Sequence, residues 1–335
     1  MEPEIAEIPA VDAVAEPAAE NTDIATPDVV SAEPTKKSRI PKKAVHVLTA
    51  FGVLVLTFAI LTSFVYRHAP TDSSIRKVVG VIPYPAAVIG NHVITLKQYL
   101  DERDALNTYF VSSAAQSGAA APDEATITKN VVDTMIHKIA VEDMAKAANI
   151  TLDESKVDDF YKNAVGGADP AEFEGQLKTM FGWTPDEFKA RVVRAVVLAS
   201  QVDESIQADA TRQADRRAKA QAAYDRIAAG EDFAKVATDV SSDPSATAGG
   251  DVGDVKVSDI PAEWKDAIAA VAVGDYSKVV EGKSLYMVFK VVARTGKDAD
   301  ESVKLSLIAV PKETLEEATQ EYLKSVRDWR YIGNT

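Results

Sequence analysis

The chain contains no cysteine. Disulfide stapling is excluded, and so is any thiol or thiolate–metal chemistry. Histidine is almost as scarce, with four among 335 residues: His46, His68, His92 and His137. The last 198 positions therefore carry no imidazole acid, base or ligand. The first 35 residues have neither a basic nor an aromatic side chain, only nine acids set among alanine and proline. Such a segment cannot bury enough apolar area to offset chain entropy, and residues 1–43 read as a disordered acidic tail ending in a basic patch. Of the net charge of −14, the tail contributes −9 and the patch +5, leaving −10 for residues 44–335. That balance argues against nucleic-acid binding. No internal repeat is present, and no feature sets an oligomeric state.

Charge is absent in a different way from residues 44–66, AVHVLTAFGVLVLTFAILTSFVY. As a helix this run reaches roughly 34 Å, enough to cross a hydrocarbon core of about 30 Å. His46 falls at interfacial depth and Tyr66 suits the opposite interface. A cleaved signal peptide has an apolar core of about 7–15 residues close to the start of the chain. This run is longer and begins at residue 44, so it reads as an uncleaved signal anchor in the lipid bilayer. Lys36, Lys37, Arg39, Lys42 and Lys43 precede it, while Arg67, Arg76 and Lys77 follow more sparsely. The positive-inside rule places the N-terminus in the cytoplasm and residues 67–335 outside it.

Residues 67–80 read as a polar linker, and 81–335 as a mixed α+β body larger than one typical domain. Its first part is helical. Val132, Met135, Ile136 and Ile139 share one helical face, as do Phe188, Val192, Ala195 and Val196. Capping boxes are expected at Thr151–Glu154, Thr184–Glu187, Thr95–Gln98 and Thr314–Glu317, with Pro185 at a first helical position. A polar helix is predicted from about Ile206 to Ile227, ended by Gly230. A short helix over 233–240 leads to DPS at 243–245 and a turn-rich loop, GGDVG at 249–253. Residues 285–292 and 303–310 read as strands, and 315–329 as a closing helix.

Two blocks resemble a known family. AVIGNHVIT at 87–95 resembles the hairpin that opens the N-terminal domain of SurA/PrsA-type extracytoplasmic foldases, with Gly90 and Asn91 both expected at positive φ. VVDTMIHKIAVEDMAKAANI at 131–150, TLDESKVDDF at 151–160 and FGWTPDEF at 181–188 resemble later blocks of the same domain. AAGEDFAKVA at 228–237, SDPSA at 242–246, GGDVG, IPAEW at 260–264 and VGDYS at 273–277 are similar, in order and spacing, to parvulin-type (PpiC) peptidyl-prolyl isomerases. The resemblance implies a single membrane helix, a mostly helical SurA-N-like domain at 81–205, and a divergent parvulin-like domain at 206–300. The latter would be a small antiparallel sheet with surrounding helices. Residues 301–335 would supply a strand and helix that complete the fold, the strand filling the empty sheet position beside 285–292, or residues 303–331 would pack on the N-terminal helical domain; both can hold, with strand and helix in different units.

The same resemblance assigns a site and shows how far this chain departs from it. Asp243 stands at a polar pocket position, the catalytic candidate. Met287 and Leu307 stand where the family's histidines would be, and the pocket phenylalanine falls near Ala269. Met287, Leu307, Phe289 and Trp264 are candidate substrate contacts. Prolyl isomerisation needs no nucleophile, metal or cofactor, only an apolar grip on proline and stabilisation of a twisted amide whose barrier is about 18–20 kcal/mol. Without both histidines the domain is expected to be weak or inactive. Asp243 also fits an ordinary turn residue before Pro244, and Met287 and Leu307 fit plain core.

Gly249–Asp251 lacks the lysine of a phosphate loop, and Asp251 with Asp254 is a sparse set for Ca²⁺. The implied function is a membrane-anchored chaperone for unfolded or proline-containing polypeptides. Its client surface would draw on Tyr84, Tyr109, Phe110, Phe160, Phe173, Met180, Phe181 and Trp183. Two alternatives stand: an active isomerase with an atypical site, and a non-catalytic envelope scaffold for one folded partner.

Overall fold

The structure is a computed structural model that describes residues 42–117, 120, 122–296 and 301–333. The acidic tail and most of its basic patch lie outside the described residues. Helix α1 (Lys42–Arg67) contains one stretch, His46–Arg67, that is long and apolar enough to cross a membrane. The chain divides into two units between Ala59 and Ile60, inside this helix. From Ile60 onward the helix joins a folded body. Val65 is buried, Leu61 packs beside it, and the Tyr66 hydroxyl donates to the Pro85 carbonyl at 2.7 Å.

The stretch expected to be a linker is instead partly core. Residues 73–79 form helix α2 (Ser73–Val79), because Ile75 and Val79 recur at helical spacing and both are buried. Strands β1 (Pro85–Ile89) and β2 (His92–Thr95) form the expected hairpin. At its turn Gly90 has φ +55°, whereas Asn91 does not adopt positive φ; the hairpin needs only one such residue. Helix α3 (Leu96–Ser117) starts on the reciprocal Thr95–Gln98 cap, with the Thr95 N–H donating to Gln98 Oε1 at 2.9 Å and the Gln98 N–H to Thr95 Oγ1 at 3.2 Å.

Helix α4 (Glu124–Ala147) buries Val131, Val132, Ile136 and Ala140. Helix α5 (Glu154–Val165) is capped by Asp153 and not by Thr151. Glu154 is already the first helical residue, so the Asp153 carboxylate is the group within reach of the Ser155 N–H at 2.9 Å. Helix α6 (Pro170–Phe181) and the single turn α7 (Pro185–Phe188) follow, the latter opening on the complete Thr184–Glu187 capping box.

A π-helical turn over Lys189–Val193 then leads into α8 (Arg194–Ala208). This turn inserts one residue into the helical repeat. The buried face after Phe188 is therefore Val193 and Val197, one position later than the expected Val192 and Val196, and Val196 points outward. The polar helix expected across 206–227 is broken. Asp209 is extended, and its carboxylate accepts from the Thr211 and Arg212 N–H groups at 2.8 and 3.2 Å, restarting the chain as α9 (Ala214–Ala228).

Helix α10 (Phe233–Val240) is capped by Asp232. A 3₁₀ turn over Pro244–Ala248 leads not to a loop but to strand β3 (Asp251–Lys256). Helix α11 (Ala262–Ala269), strands β4 (Val280–Glu281), β5 (Leu285–Thr295) and β6 (Ser302–Pro311), helix α12 (Leu315–Ser325) and strand β7 (Asp328–Arg330) complete the body. The closing helix is thus shorter than expected and yields to a strand.

Among the described residues the strands form two antiparallel sheets, ordered β2-β1-β7 and β3-β6-β5-β4. In the second, β6 lies beside β5 with Phe289 opposite Leu307 and Met287 opposite Ala309. The strand late in the sequence therefore occupies the sheet position left open before α9. Two buried polar groups tie this sheet to the helical part. The Gln213 side chain donates to the Ile206 carbonyl at 2.9 Å and accepts from the Glu313 N–H at 2.8 Å. Lys312, 5% exposed, donates to Gln207 O at 3.2 Å and to Glu281 at 2.8 Å.

Candidate functional site

The period-2 alternation of β5 and β6 sorts their side chains onto two faces. Val288 and Ile308 meet Phe233, Val236 and Ala237 of α10 and Ile227 of α9. Met287, Phe289, Val291, Leu305 and Leu307 face the other way, onto Ile260 and Ile268. Trp264 of α11 covers this second face, its ring centroid 5.9 Å from that of Phe289. The four candidate contacts, Met287, Phe289, Leu307 and Trp264, thus belong to one apolar cluster. Met287 and Phe289 are 0% and 2% exposed and Leu307 8%, so the positions expected to hold histidines are filled by packed hydrocarbon. Trp264 brings a buried indole N–H that has no hydrogen-bond partner among the described residues. Ser277, which sequence reasoning missed, clamps β5 by accepting from the Phe289 N–H at 2.9 Å and donating its own N–H to the Phe289 carbonyl at 2.8 Å.

Asp243 is outside that cluster. It caps the 3₁₀ turn, accepting from the Ser245 N–H at 2.8 Å and the Ser245 hydroxyl at 2.5 Å. The Gly249–Gly250 pair has a packing role. A Cβ on Gly250 would stand 2.6 Å from the Leu307 carbonyl oxygen, and the Leu307 N–H donates to the Gly250 carbonyl at 2.8 Å. The turn lies directly on β6 at the position of the second expected histidine.

A second site lies in the helical part. A groove of about 750 Å³ opens between β2, α3, α4 and the α6–α7 corner. Ile94, Leu106, Val131, Met135 and Ile139 form its apolar lining. Phe110, Phe181 and Trp183 add aromatic walls, with Trp183 stacked on Phe181 at 4.9 Å and Phe181 on Tyr109 at 5.4 Å. Arg191 lies over the Trp183 ring at 5.4 Å while donating to Glu102 at 2.9 Å, so a neutralised ion pair closes one rim. On another rim His92 Nε2 lies 2.9 Å from Asp143, whose other oxygen accepts from Tyr322 of α12. Burial and then the Asp143 hydrogen bond push the Tyr322 phenol up to about 12. Burial works against ionised Asp143, but the Tyr322 and His92 contacts outweigh it and hold that carboxyl below its usual range.

Of the eight side chains expected to form a client surface, Phe110, Phe181 and Trp183 line the groove. Tyr84 is buried in the core, Phe173 packs edge-on against Tyr161 and Phe188, and Phe160 is exposed. The apolar lining from α4 was detectable as the face carrying Met135 and Ile139. That from α3 was not, because its apolar positions lack a clear helical period.

Residues 197–293 match the family described as Rotamase, PPIC-type PPIASE domain. They are a PpiC-type rotamase domain. The match begins within α8 and ends in β5, so β6, which completes the sheet, lies beyond it. Among curated proteins, the Chaperone SurA of Dechloromonas aromatica is 32% identical over 130 residues, 38% of this chain and 28% of its own length. That of Pseudomonas fluorescens is 31% identical over 116 residues, 34% of this chain and 27% of its own. A longer match, to the Chaperone SurA of Saccharophagus degradans, is 23% identical over 287 residues, 73% of this chain and 65% of that protein. The rotamase domain is thus carried by a chain distantly homologous to SurA chaperones, and the more similar relatives are matched over under a third of their length.

Proposed function

We propose that the chain is a membrane-anchored extracytoplasmic chaperone that holds apolar segments of unfolded secreted or envelope polypeptides in the α3–α4 groove. The groove itself carries the reading. Its volume is in the range that encloses a ligand of several hundred cubic ångströms, enough for a few side chains of an extended segment. Its mix of aliphatic lining, stacked aromatics and the Arg191–Glu102 ion pair offers burial without demanding one sequence.

Residues 44–66 hold the module at the bilayer, with residues 67–335 on the outer side. The packing of Val65 and Tyr66 into the following core supports retention of this helix, because cleavage after it would strip side chains from the folded body. The rotamase domain is weak or inactive as an isomerase, since a proline ring would have to displace Met287, Phe289 or Leu307.

The test is aggregation suppression by the full chain in nanodiscs. Several unrelated unfolded clients should be kept soluble, and Trp183→Ala with Met135→Asp should remove the effect while leaving the circular dichroism spectrum unchanged. No effect on any client removes the reading; protection of one stoichiometric folded partner alone assigns the scaffold. The unpaired Trp264 indole N–H favours a second reading, an active isomerase in which that donor stabilises the twisted amide. Robust turnover in a protease-coupled proline-peptide assay, lost in Trp264→Phe, would establish it.

A further inference from the structure

The face of the β2-β1-β7 sheet that carries Val93 and Trp329 is left exposed by the described residues. Val88 of β1 lies opposite Trp329 of β7, and Trp329 remains 54% exposed. Two residues further on, Tyr331 is 46% exposed, and its ring stacks on Tyr66 with centroids 5.7 Å apart. Arg327 lies over the Trp329 ring at 4.5 Å, and Arg67 follows Tyr66 at the end of α1. An open concavity of about 590 Å³ runs along residues 328–331. Its one acid, Asp328, is paired with Arg330 at 3.1 Å.

Tyr66 is the residue that gives this patch a place. It lies in the last turns of the apolar stretch His46–Arg67, where the helix enters the folded body, so a membrane crossed by that stretch has its outer boundary within residues 60–67. The headgroup layer is roughly 5–7 Å deep on each side of the hydrocarbon core. Tyr331, stacked on Tyr66, falls within that layer. Trp329 follows within about 7 Å at 3.3 Å per strand residue. Tryptophan and tyrosine are the side chains that favour this layer, having an apolar ring and a polar edge, and arginines beside them suit lipid phosphates.

The geometry points to the β7 face, Trp329 and Tyr331 with Arg327 and Arg67, as a lipid-interface seat that lays the folded body against the outer leaflet. This inference rests on residues 44–66 being a membrane anchor. It makes the module a fixed object on the membrane surface and not one swinging on a tether.

Absence of cysteine makes the test direct. Single variants Trp329→Cys, Tyr331→Cys and Val252→Cys of the full chain, all at exposed positions, are labelled with an environment-sensitive fluorophore. Each is reconstituted into phosphatidylcholine–phosphatidylglycerol vesicles containing phospholipid brominated high on the acyl chain. Loss of emission at 329 and 331, with none at 252 on β3, is the expected result. Vesicle flotation is read in parallel. If the chain floats with vesicles but labels at 329 and 331 are no more quenched than at 252, the seat is overturned and the anchor stands. If the chain fails to float, the anchor falls and the seat with it. Shielding of position 329 by added unfolded polypeptide, without quenching by lipid, would assign the face to a client and overturn the proposal.

Discussion

Gly250 and Gly253 offer a matched pair for testing how the Gly-rich turn is held against the rotamase sheet. Their backbones are alike, with φ of +82° and +83°. Their surroundings are not: a Cβ at Gly253 would meet nothing within 4 Å, while one at Gly250 would meet the Leu307 carbonyl at 2.6 Å and the Ala237 Cβ at 3.0 Å. Alanine at either position carries the cost of a left-handed L-residue, about 1–2 kcal/mol. At Gly250 it must also push a turn away from a strand backbone, an overpacking cost of about 1–3 kcal/mol. Gly250→Ala should therefore lose roughly 2–5 kcal/mol and Gly253→Ala only about 1–2 kcal/mol, against a total stability of order 5–15 kcal/mol. The assay is urea unfolding followed by Trp264 emission in a chain whose other two tryptophans are phenylalanine. Equal losses at the two positions would refute the argument that close approach to β6, and not backbone angle alone, requires glycine at 250.

The remaining predictions concern particular contacts. Leu307→Ala, within the packed face opposite Phe289, should cost about 2–5 kcal/mol in the same unfolding assay while leaving isomerase turnover at its background level. Thr314→Ala removes one half of a complete capping box and should cost about 1 kcal/mol, with Ser at 314 restoring most of it. The Arg226 hydrogen bond, then that of Lys235, holds the Glu231 carboxyl down to about 2. A depressed carboxyl stabilises the fold above its unfolded range near 4.3 and loses that contribution as pH falls toward about 2. Melting temperatures of Glu231→Gln should therefore converge with those of the parent chain at acid pH and lie below them at neutral pH. A constant offset would assign the difference to lost packing.

Much of the fold was legible where one physical signal dominated. The α4 face, the caps at Thr95, Thr184 and Thr314, helix α10 and strands β5 and β6 follow from periodicity or turn chemistry, whereas the hairpin at 87–95 and the β5–β6 pairing came from the family resemblance. The misses share a cause. Strand β3 has a polar, mostly exposed edge and no apolar alternation, so GGDVG read only as turn. The break at Asp209 sits in a uniformly polar stretch where side-chain capping, and not hydrophobic period, decides the outcome. The π turn displaced the buried face of α8 by one residue, a shift that no regular repeat encodes. Strand β7 has three residues and is specified by its partner β1. At the rotamase face, replacement of the expected histidines by Met287 and Leu307 was visible in the sequence, but the density of packing around them was not.

Strand β7 also sets an order on biosynthesis. It pairs with β1, yet roughly 240 residues separate the two, about 10–50 s of chain elongation at typical rates. The β1–β2 hairpin must wait for that interval with its outer edge unpaired, while the whole rotamase sheet is made between the two. A chain with this arrangement spends that interval with an open strand edge near the start of its folded body.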